Sequence, residues 1–458
     1  MSTYHSKKAA GFLADTTYAE WHDTTFWGVR SKRDKMAHGL DEWERLREKA
    51  SQIKRHTLSH LDEYVGQFAD NAERNGAIVH WASDAADFNN IVLEILSAHK
   101  VKKLVKSKSM LTEECEMNPF LEQHGIDVVE TDLGERIIQL NHQKPSHIVM
   151  PAIHLSHHDV GNLFERVLHT EKGNHDPSYL TYQARLSLRN EFLTADAGMT
   201  GANFGIASTG DIVVCTNEGN ADMATACPKL HIAAIGLEKI IPDYASLAVF
   251  HRLLARSATG QPTTTYTSHF RKNRPTAEPM HIIIVDNGRS QWLNDDDHWE
   301  MLKCMRCGSC MNTCPVYRHS GGYSYSYFIP GPLGINLGML RDPAAHSGNV
   351  SACSLCMSCS GCCPVKIDLA EQIYKWRQKL AGFGTANPQK KLMCKAMNVA
   401  LGSPAVYRAA TAMLPLANHV PDALMECRLN PWAFGHKMMK FPSKPFHTLV
   451  KDIPVKKK

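Results

Sequence analysis

Cysteine spacing constrains this chain more than any other feature. Cys304, Cys307, Cys310 and Cys314 follow C-x2-C-x2-C-x3-C, and Pro315 comes next. Cys353, Cys356, Cys359 and Cys363 repeat the offsets 49 residues later, followed by Pro364. This is the bacterial-ferredoxin ligand run for a cubane [4Fe–4S] cluster, and two full copies predict two clusters. Three thiolates at x2 intervals wrap three corners of one cube. The fourth, one residue further on, ligates the other cluster in two-cluster proteins. Cluster 1 is therefore expected on Cys304, Cys307, Cys310 and Cys363, and cluster 2 on Cys314, Cys353, Cys356 and Cys359. Each proline biases the preceding cysteine towards an extended conformation and turns the chain away. Zinc, which closes on four tetrahedral ligands, leaves the x2-x2-x3 grouping unexplained. Cys362 is read as a non-ligand, because using it would break the offset and lose the adjacent proline.

The remaining composition narrows the setting. The N-terminal stretch does not read as a secretory leader, so the 14 cysteines are expected as reduced thiols rather than disulfides. No run of about 18 apolar residues predicts a membrane span. A cytoplasmic location follows, with any membrane contact made through partners. A net charge of +5 on 458 residues gives no footprint for nucleic acid, and the tail "VKKK" reads as a solvated end.

Around the combs the pattern alternates. The 38 residues between them, including "HSGGYSYSYFIPGPLGINLGML", read as a connecting loop plus one helix. Beyond the second comb, Leu369, Ile373, Trp376 and Leu380 recur at helical spacing. Near the N-terminus, Leu46, Ile53, Leu58, Leu61 and Val65 predict amphipathic packing helices. From Gly76 onward, "GAIVHWA", "KKLVKSK" and "IDVVETD" read as strands separated by the helices "AADFNNIVLEILSAHK" and "SMLTEECEMNPFLEQHG". "HIVMPAI", "GDIVVCTN", "HIAAIGLEKII" and "MHIIIVDN" continue the strands. This βαβαβ rhythm argues for a parallel sheet covered by helices.

The glycine-rich segment from Gly198 to Gly210 contains no dinucleotide fingerprint. It also lacks the lysine of a phosphate-binding loop, since Asp211 stands there. It reads as a structural turn entering the strand "DIVVC". The next turn, "TNEGNADMATACP", gathers Asn217, Glu218, Asn220 and Asp222, expected where parallel strands end. Glu218 and Asn220 are the candidate ligand-binding residues, and no catalytic residue is assigned. His154, His157, His158 and Asp159 in "HLSHHD" read as a polar helix start after a strand rather than a metal site. Cys115, Cys215, Cys227, Cys394 and Cys427 read as isolated core thiols.

Four stretches carry a resemblance: "DLGERIIQL", "PSHIVMPAIH", "STGDIVVCTNEGNADM" and "VDNGR", followed by the two combs. Over residues 20 to 390 the chain resembles the L-lactate utilization iron–sulfur subunit family (lactate utilization protein B). The resemblance implies an α/β LUD domain with an isomerase/CoA-transferase-like parallel sheet. A mainly α-helical ferredoxin domain carrying two [4Fe–4S] clusters would follow it. The expected boundaries are a helical arm at 1–70, the LUD domain at 71–290, the ferredoxin domain at 291–385 and a helical region at 386–458. The implied partners are a cysteine-rich redox subunit and a lone LUD-domain protein, in a complex oxidising L-lactate to pyruvate. Two other readings stand beside it. One is an iron–sulfur subunit of another 2-hydroxy-acid oxidase, such as one for glycolate. The other is an isomerase or CoA-transferase with structural clusters and Glu218 as its carboxylate.

Overall fold

The computed structural model describes residues 4–272, 278–382, 388–425 and 439–450. Among these residues, ten strands form two sheets. They are β1 (Ile78–Ala82), β2 (Lys103–Lys106), β3 (Asp127–Glu130), β4 (Ala197–Gly201), β5 (Phe204–Ile206), β6 (Asp211–Thr216), β7 (Leu230–Gly236), β8 (Ile240–Ile241), β9 (Tyr266–Phe270) and β10 (His281–Val285). The larger sheet runs β1-β10-β7-β4-β2-β3, and every pairing in it is parallel. Its central strands are apolar on both faces, as a sheet covered by helices requires. "HIIIV" of β10 is buried throughout. Phe88, Val92 and Leu96 of one covering helix (Ala85–Ala98) meet Leu104, Val128, Ile232 and Ile283 of the sheet in one apolar core.

The second sheet was not foreseen. Its order is β8-β5-β6-β9, with β6 antiparallel to both neighbours. The glycine-rich segment makes the β5–β6 hairpin. Gly210 sits at φ +74°, and a Cβ there would meet the backbone N of Ala72 at 2.3 Å. The glycine lets the hairpin press on the helix Leu61–Arg74, so its role is packing.

Three local expectations are corrected. "HIVMPAI" forms no strand; residues 147–153 are bends and turns, closed by Ser146 N–H donating to Pro151 O and the hydroxyl of Ser146 to the same carbonyl. Pro151 has no N–H to give a sheet ladder, and polar His147 and His154 break the apolar run. The segment after Ser109 makes two helices, Met110–Glu114 and Met117–Gln123, because Glu116 turns into the left-handed region at φ 51°. The linker between the combs holds two long helices, Gly331–Arg341 and Pro343–Ala352, rather than one. The break comes at Asp342, whose carboxylate caps the second helix through the N–H groups of Ala344 and Ala345.

The N-terminal helices Tyr4–Ala14, Thr16–His38, Trp43–Ser59 and Leu61–Arg74 lie against the cysteine region as well as the sheet. His22 bonds the carbonyl of Arg318 at 2.7 Å. Arg318 lies over the Trp27 ring at 4.0 Å. Leu369, Ile373, Trp376 and Leu380 are all buried on the helix Leu369–Gly382. Among the described residues, no helix is long and apolar enough to cross a membrane.

The described residues from Lys379 onward form a separate compact unit. Its helices Pro388–Gly402 and Pro404–Met413 pair with each other. They leave Leu392, Val399, Leu401 and Met413 exposed. Cys394 is exposed there too, so it is not a core thiol. Cys427 and the "VKKK" tail lie outside the described residues.

Candidate iron–sulfur centre and adjoining cavity

The two combs fold as copies of one loop. Two residues past the first cysteine, Arg306 and Leu355 take left-handed φ values of 61° and 53°. Four residues past it, Gly308 and Met357 do so again, at 75° and 61°. Each loop then enters a one-turn helix, Ser309–Asn312 or Ser358–Cys362. Each ends on an extended cysteine, Cys314 or Cys363, with ψ 116° or 120° ahead of its proline. Reversing the backbone twice turns N–H groups back on the sulfurs. Arg306 N–H reaches Cys304 Sγ and Leu355 N–H reaches Cys353 Sγ, both at 3.3 Å. Ile367 N–H reaches Cys363 Sγ at 3.3 Å and Tyr317 N–H reaches Cys314 Sγ at 3.5 Å.

The fold brings the eight cysteines into two groups. Cys304, Cys307, Cys310 and Cys363 line one small internal cavity, closed by Leu333, Ile367 and Leu369. In the other group, burial pushes the Cys314 thiol up to about 12; neighbouring Cys353 and Cys356 push the same way, against N–H donors from Tyr317 and Val316. Burial likewise raises Cys359, with Cys314, Cys353 and Cys356 among its neighbours. A hydrogen bond between the Thr313 and Ser358 hydroxyls ties the two loops. Cys362 lies buried near both groups and donates its thiol to Cys359 O at 3.4 Å.

This donor set fits two iron–sulfur cubes. A tetrahedral zinc site would hold its thiolates roughly 3.8 Å apart, given Zn–S bonds of about 2.3 Å. Among the described residues, no three cysteine sulfurs lie within 4.8 Å of one another. The thiols are spread as a multi-iron core needs, and N–H donors already point at them. Thiols whose charge burial disfavours also become good ligands once a cationic core offsets that cost.

Cations crowd the first group. Arg47, from the helix Trp43–Ser59, donates to Cys363 O at 2.9 and 2.8 Å and to Gly361 O at 2.7 Å. Arg33 donates to Cys362 O at 2.8 Å, and Lys239 to Cys304 O at 3.1 Å. Lys303, fully buried, donates to Lys366 O at 3.2 Å. At the second group, Arg377 donates to the carbonyls of Val350 and Cys353. None of these cations was singled out from sequence. The sequence carries no clear signal for them, since Arg33 and Arg47 sit in helices rich in charge.

A cavity of about 470 Å³ opens at the carboxyl edge of the large sheet. It is lined by Ser107 and Lys108 after β2, Asp132 and Leu133 after β3, Gly201 and Ala202 at the end of β4, and Gly236, Glu238 and Lys239 after β7. Crevices at this edge are the usual ligand position in α/β sheets. Its far wall is Met305, Arg306 and Cys307 of the first comb. Both sequence candidates line it. Glu218 accepts from Leu133 N–H at 3.1 Å. Burial pushes its carboxyl up to about 7, Asp132 adds to this, and the Leu133 N–H and Lys108 oppose it. Asn220 donates to the Thr131 hydroxyl at 3.3 Å. Their turn follows β6, a strand of the second sheet rather than the parallel one; that sheet folds over the edge and delivers it. Asn217 also lines the cavity. Asp222 does not: it accepts from Ser268.

The stretch "VDNGR" makes an ion-pair hub beneath the cavity. Buried Arg289 pairs with Glu114 at 3.0 Å and with Glu238. Burial alone would raise Glu238, but Arg289, Lys239 and Arg306 outweigh it and hold the carboxyl down at about 2. Arg341, from the linker between the combs, reaches Glu114 at 2.8 Å and fastens that linker to the sheet.

The "HLSHHD" residues do not converge. Ser156 and Asp159 form a capping box that starts the helix His157–Leu168, as expected. His154 is buried between Ser146 and Gln143, while His157 and His158 are exposed. His147, missed in the sequence, braces the first comb. Its Nδ1 accepts from Val149 and Met150 N–H, which leaves Nε2–H for Asn312 Oδ1 at 3.0 Å. Burial drives it down to about 3, so it works as a neutral brace.

Comparison with known proteins agrees with this architecture. A LUD-domain model matches residues 65–290, and a 4Fe–4S dicluster-domain model matches residues 300–367. Lactate utilization protein B of Shouchella clausii is 43% identical over 395 residues, covering 84% of this chain and 82% of that one. Lactate utilization protein B of Geobacillus thermodenitrificans is 43% identical over 386 residues, with 82% and 81% covered. An uncharacterized electron transport protein of Escherichia coli is 40% identical over 389 residues, with 83% and 81% covered.

Proposed function

This chain belongs to the lactate utilization protein B family, an iron–sulfur electron-transfer family with two [4Fe–4S] clusters, and we propose that it carries the electrons released when L-lactate is oxidised to pyruvate. It does so in an assembly with a cysteine-rich redox subunit and a separate LUD-domain protein. Cys304, Cys307, Cys310 and Cys363 hold one cluster. Cys314, Cys353, Cys356 and Cys359 hold the other. Glu218 and Asn220 are contacts for a ligand of the LUD cavity.

One observation carries this reading. The first thiol group meets the LUD cavity through Cys307, beside Met305 and Arg306, while the second reaches the surface at exposed Cys356. Bound clusters supply one-electron storage, and lactate oxidation releases two electrons. The chain's own residues hold the two groups side by side through the Thr313–Ser358 contact and the crossed fourth cysteines. N–H donors and buried cations stabilise the negative thiolate cages. Cleaving the C–H bond of lactate needs a two-electron centre. Lactate oxidation is therefore assigned to the assembly and electron carriage to this chain.

The test is a preparation purified without oxygen, holding about eight irons per chain and none of the partners. Mixed with L-lactate and a redox dye, it should give no turnover, and adding the two partners should restore it. Dye reduction by the isolated chain would overturn the assignment. Assaying the assembly with glycolate alongside lactate separates the two hydroxy-acid readings.

A further inference from the structure

The cavity between the LUD sheet and the first comb offers more than a passive gap. Of the cations lining it, Arg289 is consumed by Glu114 and Glu238. Lys108 pairs with Glu135 at 3.2 Å, but burial pushes that carboxyl up to about 7, which leaves the lysine charge only partly offset. Arg306 stands 3.7 Å from Glu238, and its Nη1 is buried without a partner. Two more lining residues, Ser107 and Thr216, also carry buried hydroxyls with no hydrogen-bond partner. Buried donors left unsatisfied in this way are uncommon and call for an explanation.

We propose that this cavity binds an organic anion, its negative group held near Lys108 and Arg306 and its apolar body against the wall that carries Met305 and Cys307. This rests on the assignment of the first cluster to that wall, and it gives the LUD half of the chain a ligand class. Charge allows an anion. Glu114 is paired with Arg289 and Arg341, Glu238 with Arg289, and Asp132 directs a carboxylate oxygen to Gly134 and Glu135 N–H at its own helix start. Glu218, at about 7, is half protonated near neutral pH. Size leaves room for a body: about 470 Å³ falls in the range of cavities that enclose cofactor-sized ligands. Composition supports one too, since Met110, Ile137, Ile148 and Val149 line the cavity. Two sources share this chemistry. One is a phosphate-bearing redox cofactor of flavin mononucleotide size; the other is the hydroxy acid or its 2-oxo product.

The experiment uses the full chain with both clusters loaded. Flavin mononucleotide, L-lactate and pyruvate are titrated separately, with affinity and the EPR signal of the reduced clusters as readouts. One class should bind at one site per chain and alter the signal of a single cluster. Flavin binding identifies the cofactor source, and acid binding alone identifies the substrate source. Lys108→Gln should weaken binding at least tenfold. Ala202→Trp, which fills the cavity without touching a cysteine, should abolish it. Iron content reports whether each variant is folded, and if Ala202→Trp loses iron, Lys108→Gln decides. Failure of all three probes to bind overturns the inference, as does binding unchanged in the folded variants. Lactate-driven electron transfer through the assembly under those same outcomes would leave the family function standing.

Discussion

The two combs share one backbone and differ in what surrounds them. At the left-handed position four residues into each loop, the first comb has Gly308 and the second has Met357. Both backbones take the same turn, so conformation alone does not demand glycine. What differs is the roof. A Cβ on Gly308 would stand 3.1 Å from both His147 and Val149, whereas Met357 projects into solvent with 55% of its surface exposed. The same contrast runs through the ligands. No ligand of the first group is exposed, whereas in the second Cys356 is. Cations crowd the first thiol group, largely through carbonyls around Cys363, while Arg377 serves the second. A duplicated motif has thus been given one inward end, at a cavity, and one outward end, where a partner can approach.

Breaking the grouping of the cysteines has the largest expected effect. If the fourth cysteines cross over, Cys314→Ser should remove the same cluster as Cys353→Ser, and Cys363→Ser the same one as Cys304→Ser. Each variant should lose about four of eight irons, read by iron and sulfide analysis with EPR. Loss of the Cys304 cluster's signal in Cys314→Ser would mean that each comb ligates only its own cube. Next comes the roof. Gly308→Met should destabilise the chain by about 1–3 kcal/mol through overpacking against His147 and lower its iron content. Met357→Gly should leave both nearly unchanged. Thermal unfolding of the two variants side by side measures the difference.

The sequence made the combs fully legible because ligand spacing is a local property: three thiols within seven residues meet without help from the rest of the fold. Most of the parallel sheet was legible for a similar reason, since β1, β2, β3, β7 and β10 each announce themselves within about five residues; β4, made of the small residues of "AGMTG", does not and was missed. What sequence hid was assembled from distant parts. Arg33, Arg47 and Lys54 sit in helices whose charge content reads as solvent-facing, yet they donate to carbonyls some 180 to 330 positions away. "HIVMPAI" has the composition of a strand, but His147 finds a better use bracing Asn312. The second sheet was concealed because β5 and β8 are three and two residues long, too short for any periodicity. Glu218 was found by composition and placed at the correct edge through the wrong sheet.

The cation asymmetry predicts a smaller but sharper effect. Buried positive charge favours the reduced, more negative state of a cluster and so raises its potential. Removing one charge about 8 Å away, at an effective dielectric near 20, is worth about 2 kcal/mol. For one electron that is on the order of 50–100 mV. Glu44 lies 2.6 Å from the Arg47 guanidinium and offsets part of its charge, so Arg47→Met should fall at the low end of that range. The potential of the Cys304 cluster should drop, that of the Cys353 cluster should stay, and Arg47→Lys should recover most of the loss. EPR-monitored potentiometry reads both clusters in one titration. Equal shifts in both would show that the helix Trp43–Ser59 does not distinguish them.

The smallest effect concerns the inward end alone. Glu218 faces Asp132 and Lys108 and accepts from Leu133 N–H, and its folded pKa is raised to about 7 by burial. At pH 6 the carboxyl is mostly neutral, and at pH 8 mostly charged. An anion in the cavity then meets one more negative charge, so its affinity should fall by roughly three- to tenfold between those pH values, at about 1.4 kcal/mol per tenfold change. Glu218→Gln should flatten this dependence and hold the pH 6 affinity at pH 8. The linkage to stability has a matching sign. A raised carboxyl pKa costs nothing below the unfolded value, and the cost grows as pH climbs towards the folded one. Glu218→Gln should therefore raise the melting temperature more at pH 8 than at pH 5. The EPR signal of the Cys353 cluster, far from the cavity wall, should stay constant over the same titration; if it moves in step with ligand affinity, the two ends are not electrically separate.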